Sequence, residues 1–228
     1  MLLSDTQILH LANKHAMIEP FYATSVNRNE DGTKVTSFGL SSYGYDIRLG
    51  RNFVFYRGEE NKLIHYTRKG VEHSIIIEAR SKSIIDPNNF DDTLVVQIED
   101  VDDILIPPKT FFMGVSAEYM RIPRNVKVIC DSKSTNARAG LSFFVTPLEP
   151  EWEGYITLEF FNSTDSMMKL IPGMGISQLS FMANSDVCAI SYADRKGKYN
   201  HQGNQPIPPM QMATQSLWQV KDTETFQS

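Results

Sequence analysis

Cysteine is scarce in this chain. Only Cys130 and Cys188 occur in 228 residues, far apart and in no metal-like spacing, so neither a disulfide-stapled secreted fold nor a thiolate zinc site is expected. Long apolar runs are missing too. No stretch approaches the roughly 18 residues that a membrane helix needs, and the opening MLLSDTQILH lacks the basic start and apolar core of a secretory signal. These absences predict a cytoplasmic protein with free, buried thiols and no membrane partner. Positive charge is in deficit. A net charge of −5 provides no overall field for a nucleic-acid backbone, so nucleic acid is not expected as a partner and any polyanion must meet a local basic cluster. No Gly-rich Walker loop occurs, which argues against P-loop phosphoryl transfer. The five histidines, His10, His15, His65, His73 and His201, do not combine with the cysteines into His-x-Glu followed by Pro-Cys-x-x-Cys, the pattern that holds a water-activating zinc. No zinc is expected, and the histidines read as surface or packing residues.

What is present has the texture of one domain. Hydrophobic residues make up 41% and charged residues 21%, ordinary values for a globular chain. Ser4 with Gln7 three residues on reads as a capping box, and Ile8, Leu9, Leu11 and Ala12 follow at helical spacing. A short N-terminal helix is predicted. Beyond it, runs rich in β-branched and aromatic residues alternate with Gly, Pro, Asn and Asp. Nine strands are predicted: Tyr45–Leu49, Asn52–Tyr56, Ser74–Ile77, Leu94–Ile98, Thr110–Val115, Val126–Ile129, Leu141–Val145, Tyr155–Phe161 and Ile176–Phe181. Without long helical patterns between them, they imply an all-β jelly roll or barrel. The domain is placed at 1–204, with 205–228 as a C-terminal extension. That extension reads as a loosely ordered tail or, through Leu217, Trp218 and Val220, as a segment that docks on a neighbour.

Three segments hold candidate chemistry. In Asp131-Ser-Lys-Ser-Thr-Asn-Ala-Arg-Ala-Gly140, Asp131, Ser132 and Ser134 suit helix N-caps and Gly140 a terminator. One helical turn there puts Ser134 and Arg138 on one face, and Lys133, Ser134, Thr135 and a forked Arg138 could cradle a phosphate. A capped surface turn explains the same residues. In Tyr155–Phe161, alternation puts Thr157 and Glu159 on one strand face and Ile156, Leu158 and Phe160 on the other. Glu159 is either a solvated strand residue or, if partly buried, a general base with a raised pKa. The run from Tyr192 to Gly203 is an exposed basic loop or a lid that carries Lys198 and Gln202 to phosphates.

Taken in order, these segments resemble the dCTP deaminase family of the trimeric dUTPase-like superfamily. The resemblance rests on Met17-Ile-Glu-Pro-Phe21, Ser41-Ser-Tyr-Gly-Tyr-Asp-Ile-Arg48, Asp86-Pro-Asn-Asn-Phe90 and Glu118-Tyr-Met-Arg-Ile-Pro-Arg-Asn125. It continues through Lys133-Ser-Thr-Asn-Ala-Arg-Ala-Gly140, Val145-Thr-Pro-Leu-Glu-Pro-Glu-Trp-Glu-Gly-Tyr-Ile-Thr-Leu-Glu-Phe160 and Ser191-Tyr-Ala-Asp-Arg-Lys-Gly-Lys-Tyr199 with Gln202. It implies a distorted jelly-roll barrel assembled as a homotrimer, with active sites between subunits. It also implies hydrolytic deamination of dCTP to dUTP and ammonia, supplying the dUMP and dTTP pathway, with Mg²⁺ carried on the nucleotide phosphates, no zinc, and dTTP as a candidate inhibitor. Glu159 matches the catalytic glutamate, and Ser134 and Arg138 match residues that support the water and the tetrahedral intermediate. Lys133, Ser134, Thr135, Asn136, Ala137 and Arg138 match the nucleotide-binding run. Thr157, Leu158 and Glu159 match the strand that reads the pyrimidine, and Gln178, Tyr192, Lys198 and Gln202 match further nucleotide contacts.

The chain departs from the family at several points. The stretch around 57–83 is longer than expected and reads as an insertion, with Val71–Ile77 in an added hairpin. The tail after Gly203 is also longer, and Asn136 and Ala139 stand where Tyr and Cys are frequent. Two rival functions follow from the same residues. Glu149 lies near the place where dUTPases carry an aspartate, which suggests a bifunctional deaminase and pyrophosphatase giving dUMP. A non-catalytic nucleotide sensor could keep the pocket, although it would have no need of Glu159 as a base.

Overall fold

Ser4 begins the one long helix among the described residues, as its spacing to Gln7 predicts: the Ser4 backbone N–H donates to Gln7 Oε1 at 3.0 Å. The computed structural model describes residues 1–80, 84–144 and 146–210. In it α1 spans Asp5–His15, with Ile8 and Ala12 turned inward and Lys14 and His15 in the last turn, where the helix dipole favours cations. The strands then follow as β1 (Ile18–Glu19), β2 (Val26–Arg28), β3 (Lys34–Ser41), β4 (Gly44–Tyr56), β5 (Lys62–Arg68), β6 (Val71–Ile77), β7 (Val95–Ile98) and β8 (Asp103–Ile106). After them come β9 (Phe111–Arg121), β10 (Val126–Ser132), the short helix α2 (Ser134–Arg138) and β11 (Leu141–Phe144). The last four are β12 (Pro147–Leu148), β13 (Glu153–Asn162), β14 (Met168–Leu170) and β15 (Gly175–Ala183).

The all-β expectation holds, with more and longer strands than the nine read from sequence. An 11-stranded antiparallel sheet runs β11-β13-β9-β4-β15-β10-β12, with β1 on β9, β7 and β3 on β4, and β2 on β3. A smaller sheet runs β14-β8-β5-β6. The strands expected at Tyr45–Leu49 and Asn52–Tyr56 are one, since β4 passes straight through Gly50. A Cβ there would meet Val115 atoms at 2.7 and 2.8 Å, and the β4–β9 register shifts between Leu49 and Phe53. The glycine therefore marks a bulge where two backbones come close, not a turn. Within the long 57–83 stretch, β5 and β6 form a hairpin closed by Lys69 and Gly70 at φ 51 and 71, the two left-handed residues of a tight I′-type turn. Val145, expected as the end of a strand, and the tail residues Leu217, Trp218 and Val220 lie outside the described residues.

One core fills the curled sheet. Phe53, Phe55, Phe112, Phe160 and Phe181 are fully buried, with Tyr45, Ile47, Leu49 and Leu179 beside them, and Phe112 stacks on both Phe55 and Phe160. Cys130 is buried and free, Cys188 half-buried and free. No helix of the described residues is long and apolar enough to cross a membrane.

Candidate active site

β13 carries the central residue. Its burial alternates along the whole strand, and in the ladder Glu159 stands between Met113 of β9 and Phe144 of β11. The register slips between Tyr155 and Thr157, and Ile156, Thr157 and Glu159 all line one cavity of about 610 Å³, a size that suits a nucleotide-scale ligand. The wall around Glu159 is built of Tyr56, Phe111 and Met113. Glu159 Oε2 is buried and has no hydrogen-bond partner. Burial without an ion-pair partner pushes its carboxyl up from 4.5 to about 7. The Tyr56 phenol is pushed up to about 12 by burial and by the neighbouring Glu159.

The segment after β15 closes the other side of this cavity. Tyr192, Arg195, Lys198, Tyr199 and Gln202 line it, so Thr157, Glu159, Tyr192, Lys198 and Gln202 are brought together. Gln202 is seated by its own backbone: Gly154 (φ 145) pairs with it, and a Cβ on Gly154 would meet Gln202 N at 2.7 Å. The Gln202 amide donates to Thr157 Oγ1. Tyr192 lies flat against Gly197, where a Cβ would strike the ring at 2.2 Å, and its hydroxyl accepts the Tyr199 N–H at 3.0 Å. Packing does not stop at Gln205, where the composition changes. Ile207 N–H donates to Thr157 Oγ1 at 3.1 Å, Lys198 Nζ donates to the Met210 carbonyl at 3.1 Å, and Ile207 and Pro209 line the cavity mouth.

The phosphate-cradle run lies elsewhere on the subunit. None of Lys133, Ser134, Thr135, Asn136, Ala137 or Arg138 lines this cavity, nor does Gln178. α2 meets the sheet at the Leu141 end of β11, opposite Asn162, whereas Glu159 pairs with Phe144 at the far end. Asp131 and Ser132 remain in β10 and Ser134 is already the first helical residue, so the N-cap position falls to Lys133, which makes no side-chain cap. Its ammonium, a donor that cannot accept the free N–H groups of a helix N-terminus, goes to Asp46 on β4. Asn136 is buried, and its amide donates to the carbonyls of Gly175 and Ile176 at 3.1 and 3.2 Å, which docks α2 on β15. Ser134, Thr135, Ala137 and Arg138 are exposed, as is Gln178 on β15, while Leu158 is buried in the core. Arg138 makes no ion pair among the described residues.

Sequence reasoning missed the aromatic wall. Tyr56 and Phe111 sit at strand ends remote from Glu159 in the chain, and only the β4–β9–β13 pairing brings them together. Glu149 does line the cavity, and its carboxylate is paired with Arg195. Among the described residues, no group of three or more His, Cys, Asp or Glu is arranged to hold a metal ion.

A family model described as dCTP deaminase-like matches residues 2–184. A protein named dCTP deaminase from Acinetobacter baumannii (strain AYE) is 40% identical over 205 residues, 90% of this chain and 97% of its own. Another of that name from Leptothrix cholodnii is 43% identical over 205 residues, with 90% and 97% of the two chains covered. Among solved structures, the 2′-deoxycytidine 5′-triphosphate deaminase of Agrobacterium tumefaciens superposes with a TM-score of 0.50 at 13% identity, over 80% of this chain and 47% of that one. The chain thus spans about half the length of that protein, and at this identity the likeness is one of fold.

Proposed function

Because the chain belongs to the dCTP deaminase-like family, we propose that it hydrolyses dCTP to dUTP and ammonia, with Glu159 as the group that moves the protons. The observation that carries this reading is the Glu159 carboxyl, whose Oε2 is buried without a hydrogen-bond partner in a nucleotide-sized cavity and whose pKa is pushed up to about 7. A general acid–base works best when its pKa lies near the operating pH. As carboxylate, Glu159 takes a proton from water and the hydroxide adds to C4 of the cytosine. As carboxylic acid it returns that proton to N3. A second proton, from the added hydroxyl, passes through the same carboxylate to the amino group, which leaves as ammonia while the C4 carbonyl forms. Developing charge at C4 needs fixed donors, and among the described residues no cation pairs with Glu159.

That need supports a homotrimer with active sites between subunits. The exposed and unpaired Arg138, with Ser134 one turn away, suits a role in a neighbouring subunit's cavity, supporting the water and the tetrahedral intermediate. Thr157 and Gln202 would read the nucleotide, while Lys198 and the Arg195 side of the mouth would face its phosphates. Mg²⁺ would ride on triphosphate oxygens and water and offset their charge. dTTP, with the same deoxyribose triphosphate, would compete for this cavity.

The test is product analysis with dCTP and Mg²⁺. Equimolar dUTP and ammonia are expected, and Glu159→Gln should bind dCTP while losing at least about a thousandfold in kcat. Turnover near wild type by this variant would remove Glu159 from the role. The bifunctional reading needs a carboxylate free to activate water at the α-phosphate. Glu149 is instead engaged by Arg195, so dUMP and pyrophosphate are not expected. Binding with no turnover by the wild-type protein would point to a sensor.

A further inference from the structure

Arg124 stands in the turn between β9 and β10, outside the cavity around Glu159, and no part of the chemistry above uses it. Its guanidinium is nonetheless nearly saturated. Nη1 donates to Glu151 Oε2 at 2.7 Å, Nη2 to Asp194 Oδ2 at 2.6 Å and to the Ala189 carbonyl at 3.1 Å, and Nε to the Cys188 carbonyl at 3.3 Å. The contact is returned, since the Cys188 thiol lies 3.6 Å from the Arg124 carbonyl. Three of these four acceptors belong to one loop, 188–194, which contains the cavity-lining Tyr192 and leads on to Lys198 and Gln202.

The loop has been shaped to receive this side chain. Asp194 Oδ2 also accepts the Ser191 N–H at 3.0 Å, and Ser191 Oγ accepts the Asp194 N–H at 3.2 Å, which aims the carboxylate at Arg124. Between them Tyr192 is fixed to the other side of the cavity by donating its N–H to the Pro150 carbonyl at 2.9 Å. Glu151, the remaining acceptor, has φ 61 and immediately precedes Trp152, which lines the cavity. One planar guanidinium thus joins two adjoining segments that both contribute to the cavity lining, the 149–152 turn and the base of the 188–202 lid. Arginine suits the task because its fork is rigid and always charged.

We propose that Arg124 is a positioning residue for the nucleotide site, a clamp that holds the lid base so that Tyr192, Lys198 and Gln202 meet the substrate in place. This inference rests on the deaminase reading above for its substrate. Because the groups it places bind the nucleotide and do not move protons, the effect belongs in binding shared by ground and transition states, which appears in KM.

The experiment compares wild type, Arg124→Ala, Arg124→Lys, Asp194→Asn and the Arg124→Ala/Asp194→Asn pair in the full chain. dCTP with Mg²⁺ is the probe, and amide hydrogen exchange over 186–202 is followed without nucleotide. Arg124→Ala should raise KM about tenfold while kcat stays within about threefold. Arg124→Lys should recover part of that, because an ammonium keeps the charge and loses the fork. Asp194→Asn should raise KM in the same direction, and the double variant should be no worse than Arg124→Ala, as expected of two residues acting through one contact. Exchange over 186–202 should quicken in Arg124→Ala, with an unchanged melting temperature for Arg124→Lys showing that the fold is intact. Unchanged KM with intact fold overturns the proposal, whether or not exchange quickens. So does an equal loss in kcat and kcat/KM, or strict additivity of the pair. If wild type makes no dUTP, the deaminase reading fails separately. The exchange data and dCTP affinity then judge the clamp: slower exchange or equal affinity in Arg124→Ala would overturn it.

Discussion

An exposed glutamate ionises well below neutrality; Glu159 does not, because Tyr56, Phe111 and Met113 take its water away and no ion-pair partner among the described residues of the subunit replaces it. Two consequences follow at this one residue. On the proposed mechanism Glu159 must be ionised to accept a proton from water, so kcat/KM for dCTP should climb with pH through about 7, and Glu159→Gln should erase that limb together with the activity. The same shift costs stability. Folded Glu159 holds its proton up to about pH 7, whereas the unfolded chain releases it near 4.5, so folding weakens as pH rises between those values and is level above them. Glu159→Gln should therefore be the more stable protein at pH 8, by about 2 kcal/mol once the openness of the cavity is allowed for. At pH 4 the advantage should vanish, since both side chains are then neutral in both states. Thermal melts of the two proteins at pH 4 and pH 8 measure it, and a gain of equal size at both pH values would mean that the amide packs better for reasons unrelated to charge.

At the scale of elements, β4 and β9 are held in register by more than their ladder. Arg48 Nε donates to Glu118 Oε1 at 2.7 Å and the Arg48 backbone N–H to Oε2 at 2.8 Å. Glu118 is fully buried, and the guanidinium lies over the rings of Tyr22 and Phe38 at 4.6 and 5.1 Å. Removing one partner strands the other charge, so Glu118→Ala should lose about 3–5 kcal/mol in urea unfolding, and an apolar pair, Arg48→Met with Glu118→Leu, should recover most of it. A loss below about 1 kcal/mol would mean that water reaches Arg48. This pair also marks what the sequence could and could not disclose. Period-two alternation was readable through β13, where Thr157 and Glu159 do face one cavity, and helix signals were readable for α1 and α2. Glu118 and Gly50 carry ordinary turn or surface signals, and only pairing with distant strands turns one into a buried ion-pair partner and the other into a bulge. Tyr56 and Phe111 escaped notice for the same reason, because a cavity wall assembled across strands leaves no local pattern. Lys133 and Asn136 sit in the right segment, yet their side chains are committed to Asp46 and to the backbone of β15, a use that local spacing does not reveal.

At the scale of the whole molecule, Glu159 and Arg138, the two residues the proposed chemistry needs together, lie apart within one subunit. Among the described residues Glu159 has no ion-pair partner, and Arg138 stands exposed with none either, at the opposite end of β11. Cyclic symmetry resolves this if the Arg138 of one subunit reaches the Glu159 cavity of the next. Such an arrangement makes a prediction that no single-chain site shares. Glu159→Gln and Arg138→Ala should each be inactive alone, whereas subunits of the two variants, unfolded together and reassembled at equal amounts, should regain activity. In a randomly mixed ring a site works only when the subunit giving the glutamate is the Arg138→Ala chain and its neighbour is the Glu159→Gln chain, so about one site in four should be restored. Specific activity near a quarter of wild type, with the mass of a trimer in solution, is the expected result. Mixing without reassembly should restore nothing. Complete inactivity of reassembled trimers would place Arg138 and Glu159 in the same subunit's site, and would require α2 to swing toward β13 when nucleotide binds.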